Sequence, residues 1–290
     1  MTASGRPNFA TRQVGGIVEM AVTGRWSSAA AEAFESEKVD RLLLHRSIGW
    51  DGSLDFLHGM PVRGLDVADY SLTDLEPIYS LSPTLTDLSL ATGTSATVDL
   101  ARLENLRSLG ALWTQVSDSI AFASNVETLY LVGFSRPDLT PLAALRSLAE
   151  LTVKDRLPLR SLHGLSELPA IHSLSIAGAR SLADLAELRG RRLLRVLQLE
   201  GCRRIPDIAD LDDCVGLTFL NLGDCGDIPT IAPIGGMKEL EDLYLYESTR
   251  VLDGDLSPVL GLPKLRDLRM RDRRGYSPSV AAICEQLARA

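Results

Sequence analysis

Two cysteines, Cys202 and Cys225, stand in matched surroundings, and matched thiols are residues that could do chemistry. They lie in the segments LEGCRRIPDI (199–208) and LGDCGDIPTI (222–231), with the same placement relative to Leu and Ile. Such a pair could form half of a metal site or close a disulfide. A structural zinc site usually has four ligands at short local spacings such as C-x₂₋₄-C, and the four cysteines of this chain show no such spacing. The pattern favours buried structural thiols, with no metal or other cofactor.

Other catalytic signatures are missing from the sequence. It contains no GxxxxGK[ST], GxSxG or HExxH segment, the patterns that place phosphate-binding loops, serine nucleophiles and zinc ligands. The histidines at 45, 58, 163 and 172 are scattered along the chain, without a cysteine or serine at a matching position. We therefore expect a protein that is not an enzyme.

The separation of Cys202 and Cys225 by 23 residues indicates an internal repeat, and a fixed period of that size decides the fold. Alignment on the motif apolar-x-x-Leu-x-apolar divides the chain into twelve units, separated by 17 to 25 residues. The first position is always apolar, the fourth is Leu or Met20, and the sixth is apolar except at Thr114. The units begin at Ile17, Val39, Val62, Leu85, Leu109, Val126, Leu148, Ile171, Leu194, Leu217, Leu240 and Leu265.

Each unit combines two periods. The fourth and sixth positions alternate with polar residues, which predicts a short strand with one buried face. Beyond the strand, apolar residues recur every third position, as at Ile205, Ile208 and Leu211, and a spacing of three suits 3₁₀ turns better than an α-helix. No unit can bury its leucines alone, so neighbouring units must stack into a solenoid.

The segment LTFLNLGDCGDIPTIAPIGGMKE (217–239) resembles the leucine-rich repeat family. The repeat length of 22 to 23 residues and segments such as LTPLAALRSL (139–148) resemble its bacterial internalin-like class. The resemblance covers residues 17–276 and implies an α/β solenoid: a leucine-rich repeat arc with a parallel β-sheet on the concave face and 3₁₀ or short coil on the convex face. The family favours Asn or Cys at the ninth position, which here is Cys only at 202 and 225, so we expect turns that differ between units.

Three segments follow from this alignment. Residues 1–16 are expected to form an N-terminal tail and part of a cap, residues 17–276 about twelve repeats, and residues 277–290 a C-terminal capping helix. Ser277 is the predicted N-cap, with Pro278 in the first turn. The core-facing stripe of this helix is predicted as Val280, Ile283, Cys284 and Leu287. Within the repeats, SSAAAEAF (27–34) predicts a short helix. The step of 17 residues from Leu109 to Val126 predicts a change in curvature, and this unit is either a functional feature or a degraded repeat.

Composition limits the possible partners. The formal net charge of −8 argues against nucleic acid as the main ligand, because such binding depends on lysine and arginine. No run of 18 apolar residues occurs, so no membrane span is predicted. The N-terminal sequence does not resemble a secretory signal. These features predict a cytoplasmic protein, which we expect to be a monomer.

The outward positions of the predicted strands, which are the third, fifth and seventh of each motif, are rich in the residue types of binding hot spots. Aromatic and arginine side chains fall there in two clusters, although aromatic residues are also favoured in sheets for other reasons. The partner-binding residues predicted from these positions are Trp113 and Tyr130 in one cluster, Phe219, Tyr244, Tyr246, Arg269 and Arg271 in the other, and in addition Gln198 and Asn221.

The sequence thus predicts a non-catalytic recognition module whose concave sheet binds another protein. An inhibitor or immunity protein and an assembly adaptor are both compatible with it. The alternative is a sensor of a glycan or another small or polymeric ligand, which would also use exposed Trp and Tyr.

Overall fold

The computed structural model describes residues 7–289, so the first six residues of the predicted N-terminal tail lie outside the described residues. The chain forms two compact units, Met1–Tyr130 and Leu131–Ala290. They are called unit 1 and unit 2 below.

Unit 1 contains an N-terminal hairpin followed by parallel strands that pair in chain order. A helix, α1 (Ser28–Ser36), follows the hairpin, as the SSAAAEAF segment predicts, and Ser27 caps it. The strands are β1 (Phe9–Val14), β2 (Ile17–Val22), β3 (Arg41–His45), β4 (Gly64–Asp69), β5 (Asp87–Thr92) and β6 (Ser108–Leu112), and the unit boundary falls within β7 (Thr128–Val132).

Unit 2 repeats the same parallel pairing in chain order. Two short strands, β12 (Asp227–Ile228) and β14 (Arg250–Val251), form a separate parallel pair. The main strands are β8 (Glu150–Lys154), β9 (Ser173–Ala177), β10 (Val196–Glu200), β11 (Phe219–Asn221), β13 (Asp242–Leu245) and β15 (Asp267–Met270).

The N-terminal strand, which lies within residues 1–16, adds one antiparallel strand to the parallel sheet of the repeats. β1 is antiparallel to β2, with Val14 opposite Ile17. The two residues between them are Gly15 and Gly16, both with positive φ (57° and 88°), and a two-residue turn of this kind suits the twist of an antiparallel hairpin. Part of the predicted tail is therefore ordered sheet.

The core is built from the repeated leucines, as the motif predicts. Met20, Leu42 and Leu65 occupy the fourth position of successive units, pair across neighbouring strands and are at most 1% exposed. The sixth-position residues Leu44 and Val67 are fully buried beside them. Twelve strands from β2 to β15 carry the motif, which confirms the leucine-rich repeat architecture.

The unit that we began at Leu109 was aligned three residues too late. Leu88, a fourth-position residue, pairs with Leu109, so the motif starts at Leu106 and its sixth position is Ala111, which is buried. The steps from Leu85 to Leu106 and on to Val126 are then 21 and 20 residues. Neither the very short repeat nor the exception at Thr114 exists. The error arose because Leu106, Leu109 and Leu112 match the motif in two overlapping registers.

Between neighbouring strands, one carbonyl repeatedly accepts two amide protons from the next repeat. In unit 2, the His172 carbonyl accepts from the N–H groups of Arg195 (2.8 Å) and Val196 (3.1 Å), and in unit 1 the Asp40 carbonyl accepts from Arg63 and Gly64 (both 3.0 Å). This contact sets the register in which each strand begins.

The return paths are mostly 3₁₀ turns, which confirms the interpretation of the three-residue spacing. The four-residue helix α3 (Ser257–Leu260) takes this place in a late repeat. The 3₁₀ segments are Arg46–Ile48, Asp55–Leu57, Glu76–Leu81, Leu100–Arg102, Ile120–Phe122, Thr140–Leu142, Leu165–Glu167, Ala186–Leu188, Ala209–Leu211 and Ala232–Gly236.

The C-terminal helix, α4 (Val280–Leu287), is shorter at its start than predicted. Ser279 is its N-cap and accepts a hydrogen bond from the Ala282 N–H, so Ser277 is not the cap. Val280 and Ile283 are buried as expected, whereas Cys284 is exposed and does not belong to the buried stripe. Among residues 7–289, no helix is long and apolar enough to cross a membrane.

Candidate functional site

Four predicted side chains of unit 2 form one group on the face of the sheet that points away from the leucine core. We call this face the outer face and the group Phe219, Tyr244, Tyr246 and Arg269 the aromatic cluster. The strand register places Asn221 beside Tyr244 and Tyr244 beside Arg269 on consecutive strands. Residues two apart on a strand share a face, so Phe219, two residues before Asn221 on β11, lies on the same outer face.

The rings of the aromatic cluster contact one another in fixed geometry. Phe219 meets Tyr244 edge to face, with centroids 5.0 Å apart and planes at 77°, and Tyr244 and Tyr246 lie 6.3 Å apart. The Arg269 guanidinium carbon sits 4.3 Å from the centroid of the Tyr244 ring, within the range of a cation–π contact. All three rings are half-buried, so each presents part of its surface to solvent.

Asp267 holds Tyr244 and Arg269 together. Its Oδ2 accepts hydrogen bonds from Tyr244 Oη (2.9 Å) and from Arg269 Nε (2.8 Å). The hydrogen bond from Arg269 lowers the pKa of the Asp267 carboxyl. Burial, and then the bond to Asp267, raise the pKa of Tyr244. The phenol therefore stays protonated and donating at neutral pH.

Two residues position Tyr246: Asn221, which the sequence predicts as a partner-binding residue, and Gly223, which it does not. Asn221 donates from Nδ2 to Tyr246 Oη (3.3 Å) and accepts at Oδ1 from the Gly223 N–H (2.8 Å). A Cβ at Gly223 would lie 2.5 Å from the Tyr246 ring, so the ring lies directly over this glycine. Gly223 was missed as a site residue; its only sequence signal is a glycine at an outward seventh position. Burial, and more weakly Glu200, raise the pKa of Tyr246.

The aromatic cluster borders a shallow depression of about 450 Å³. Ring faces supply apolar contact area, and the polar atoms of its rim can donate and accept hydrogen bonds. No group of three or more His, Cys, Asp or Glu suited to holding a metal ion occurs among the described residues. The depression is lined by Gln198, Glu200, Phe219, Asn221, Tyr244, Tyr246 and Arg269.

The remaining predicted residues lie elsewhere. Arg271 is exposed and pairs with Glu247 (3.1 Å), outside the depression. Tyr130 lies in unit 1, where it is 41% exposed and borders a different depression. The prediction that Trp113 points outward is wrong: β6 ends at Leu112, Trp113 opens the short helix α2 (Trp113–Val116), and its side chain is 3% exposed. The shift of register described above is the reason.

In both units, stacked parallel strands, 3₁₀ return paths and a core of repeated leucines define the leucine-rich repeat fold. Solved structures of bacterial leucine-rich repeat proteins share this fold. A leucine-rich repeat protein of Leptospira interrogans superposes with a TM-score of 0.60 at 20% identity, covering 75% of this chain and 57% of that one. The internalin InlF of Listeria monocytogenes gives a TM-score of 0.55 at 18% identity, covering 89% and 83% of the two chains.

A third similar structure is the functional domain of InlJ from Listeria monocytogenes, which includes a cysteine ladder. It gives a TM-score of 0.52 at 14% identity, and the match covers 86% of this chain and 63% of that one. No family model matches the sequence, and no curated protein matches it. At these identities the likeness shows the fold, which is that of internalin-like bacterial leucine-rich repeat proteins.

Proposed function

We propose that this chain is a non-catalytic recognition module that binds a partner protein through the outer face of unit 2. The observation that carries the proposal is the aromatic cluster, in which three half-buried rings and one arginine surround a depression of about 450 Å³. Tyr and Arg dominate the binding energy of protein interfaces when they lie at the centre of a contact.

The contacts within the cluster support binding by a preorganised surface. Tyr244 is held by Asp267, Phe219 and Arg269, and Tyr246 by Asn221. Immobilising a free side chain at an interface costs roughly 0.5–1.5 kcal/mol, and side chains already held in place lose less on binding. The aromatic cluster thus presents apolar area at low entropic cost.

Substitution of the aromatic cluster tests the proposal. The tagged chain is used for affinity purification from its native host, and the proteins that remain bound are identified by mass spectrometry. The triple variant Tyr244→Ala, Tyr246→Ala, Arg269→Ala is expected to lose the specific partner, because it removes the ring faces and the guanidinium. Its melting temperature should change little, because these side chains lie outside the leucine core.

A matched control carries Thr152→Ala and Ser175→Ala, two fifth-position residues of the same outer face that do not line the depression. It should retain the partner. Equal recovery by the triple variant and the control would refute the proposed site.

Within this proposal, the chain acts by occupying its partner, either as an inhibitor or immunity protein or as an assembly adaptor. The two roles differ in what happens to the partner. An inhibitor abolishes the activity of the captured protein at equimolar ratio, whereas an adaptor leaves that activity intact and recruits a third component.

The exposed parts of the Tyr244 and Tyr246 rings also favour a second candidate, a sensor of a glycan, because sugar rings can stack on aromatic faces. This function predicts that an oligosaccharide raises the melting temperature in a ligand screen, and that the triple variant loses the shift. Protein recognition instead predicts a co-purifying protein and no such shift.

A further inference from the structure

The negative charge of this protein is concentrated in unit 1. Residues 1–130 contain nine lysines and arginines against sixteen aspartates and glutamates, a net charge of −7, whereas residues 131–290 contain 21 against 22. A surface of one sign attracts partners of the opposite sign and speeds their association. Unit 1 is therefore suited to a basic partner surface.

The outer face of unit 1 contains a depression of about 250 Å³. Gly110 lies opposite Ser89 on the neighbouring strand, and its missing side chain leaves a hollow that Ser89, Tyr130 and Asp66 border. The hollow is a space for one long side chain and not for a folded element.

Two carboxylates flank this hollow. Asp87 pairs with Gly64 in the strand register, and Asp66 lies two residues beyond Gly64, so the Cα atoms of the two aspartates are diagonal neighbours roughly 8 Å apart. His45 Nε2 lies 3.0 Å from Asp66 Oδ1. The neighbouring strands β4 and β5 thus each contribute one carboxylate to the lining of the hollow.

The cation already present does not neutralise this face. Arg41 crosses over Gly64, where a Cβ would lie 2.7 Å from its Nε, and reaches both Glu19 (3.3 Å) and Asp87 (3.4 Å). Both contacts are longer than the 2.7–2.9 Å of close charged pairs. Arg12 also pairs with Glu19. Arg12 and Arg41 thus contact Glu19 and Asp87, whereas Asp66 lies against His45.

We propose that the outer face of unit 1 binds a basic segment of the partner protein, with one arginine side chain inserted into the hollow over Gly110. The planar guanidinium can pair with carboxylates through its fixed fork of donors, and Asp66 and Asp87 both line the hollow. This inference rests on the proposed function, since it names the chemistry of the partner, but it concerns a different unit from the aromatic cluster.

A defined probe tests the inference without the partner. N-acetyl-arginine amide is titrated into the full-length chain at low ionic strength, and the amide signals of residues 108–112 and 128–130 are followed by NMR. N-acetyl-citrulline amide, its uncharged isostere, is the comparison ligand. We expect the arginine probe to bind about tenfold more tightly or better, because charged hydrogen bonds are the stronger ones, and salt to weaken its binding.

Three variants locate the probe. Gly110→Leu fills the hollow; the φ of Gly110 is ordinary and a Cβ there would make only a normal contact with Ser89 (3.5 Å), so the strand should fold. Asp66→Asn removes one charge with little change in shape. Ser175→Leu makes a similar enlargement at the equivalent fifth position in unit 2. The first is expected to abolish binding, the second to reduce it about tenfold, and the third to leave it unchanged.

Two results would overturn the inference. One is equal binding of the arginine and citrulline probes. The other is unaltered binding of the arginine probe to Gly110→Leu, which would place the cation elsewhere. Displacement of the probe by millimolar Mg²⁺, with signal changes at Asp66 and Asp87, would identify a metal site in its place. None of these results depends on the aromatic cluster, so failure here is distinguishable from failure of the proposed function.

Discussion

The matched thiols of Cys202 and Cys225 lie in the interior of unit 2, together with Cys214. Each is at most 1% exposed, and all three are free thiols. Cys225 Sγ donates to the Leu199 carbonyl (2.6 Å) and Cys214 Sγ to the Leu188 carbonyl (3.3 Å). Burial raises the pKa of Cys225 and of Cys214 to about 12, and raises that of Cys202 as well. These cysteines pack as small apolar residues, and two of them donate to nearby backbone carbonyls.

Thiol reactivity checks this assignment, because the thiolate is the reactive form. In the native protein, Ellman's reagent should modify only Cys284, which is exposed on α4. The other three thiols should react only after denaturation. Cys284→Ser provides the control and should reduce the fast phase to zero. Fast modification of a second thiol in the native state would contradict the burial of the matched pair.

The hydrogen bond between Tyr244 and Asp267 predicts the titration behaviour of the aromatic cluster. Asp267→Asn should lower the pKa of Tyr244, because the carboxylate that opposes ionisation of the phenol is removed. The pKa should stay above the ordinary value, because burial is the larger cause of the shift. The ¹³Cζ chemical shift of Tyr244, followed against pH, measures this change.

Asp242→Asn is the matched control for that titration, since Asp242 acts on Tyr244 more weakly, through space only. Its effect should be smaller and in the same direction. An unchanged or higher pKa in Asp267→Asn would mean that the bond between the phenol and the carboxylate does not form in solution.

At the scale of the element, the return paths depend on aspartates that precede the 3₁₀ turns. The Oδ1 atoms of Asp138, Asp184 and Asp207 accept hydrogen bonds from the N–H groups two residues later, at 3.0, 2.9 and 2.9 Å. Thr230 takes the same role through its Oγ1 in the next repeat. Side-chain oxygens of this kind satisfy amide groups that a short helical turn leaves without a partner.

A pair of substitutions at Asp184 isolates this contribution. Asp184→Ala removes the acceptor and should lower the free energy of unfolding by about 1 kcal/mol, as loss of a capping residue does. Asp184→Asn keeps an acceptor oxygen at the same place and should be close to the wild type. Urea denaturation followed by circular dichroism compares the two. Equal stability of both variants would show that the acceptor oxygen of Asp184 does not stabilise the turn.

The strands and return paths were predictable because burial imposes a strict spacing on leucine. The aspartates of the turns recur 23 residues apart at 184 and 207, but a polar repeat of this kind is hidden among the many charged surface residues. Where two apolar registers overlap, as at Leu106 and Leu109, the pattern cannot choose between them. The pairing of Leu109 with Leu88 shows which register is correct. In that register Trp113 lies beyond the end of the strand, which is why its side chain is buried and does not face outward.

At the scale of the molecule, the candidate surfaces were only partly predictable. Alternation along strands identifies which residues face outward, and it placed Phe219, Tyr244 and Arg269 correctly. It gives no information on residues that act by being small, because Gly110 and Gly223 carry no side chain and matter only through the neighbours they admit. The concentration of charge also became visible only once the boundary between the two units was known.

The carbonyl that accepts two amide protons from the following repeat also bears on how such a chain can change in length. Each repeat provides to the next repeat the same carbonyl acceptor that the preceding repeat provides to it. A duplicated block such as residues 171–193 would therefore form these hydrogen bonds with both of its neighbours. A block that does not form a whole coil would carry polar residues into leucine sites, since an odd shift in strand register reverses the two sides of a strand. Evolution can therefore extend or shorten this fold in whole coils, and each added coil widens the outer face of the sheet by one strand spacing of about 4.8 Å.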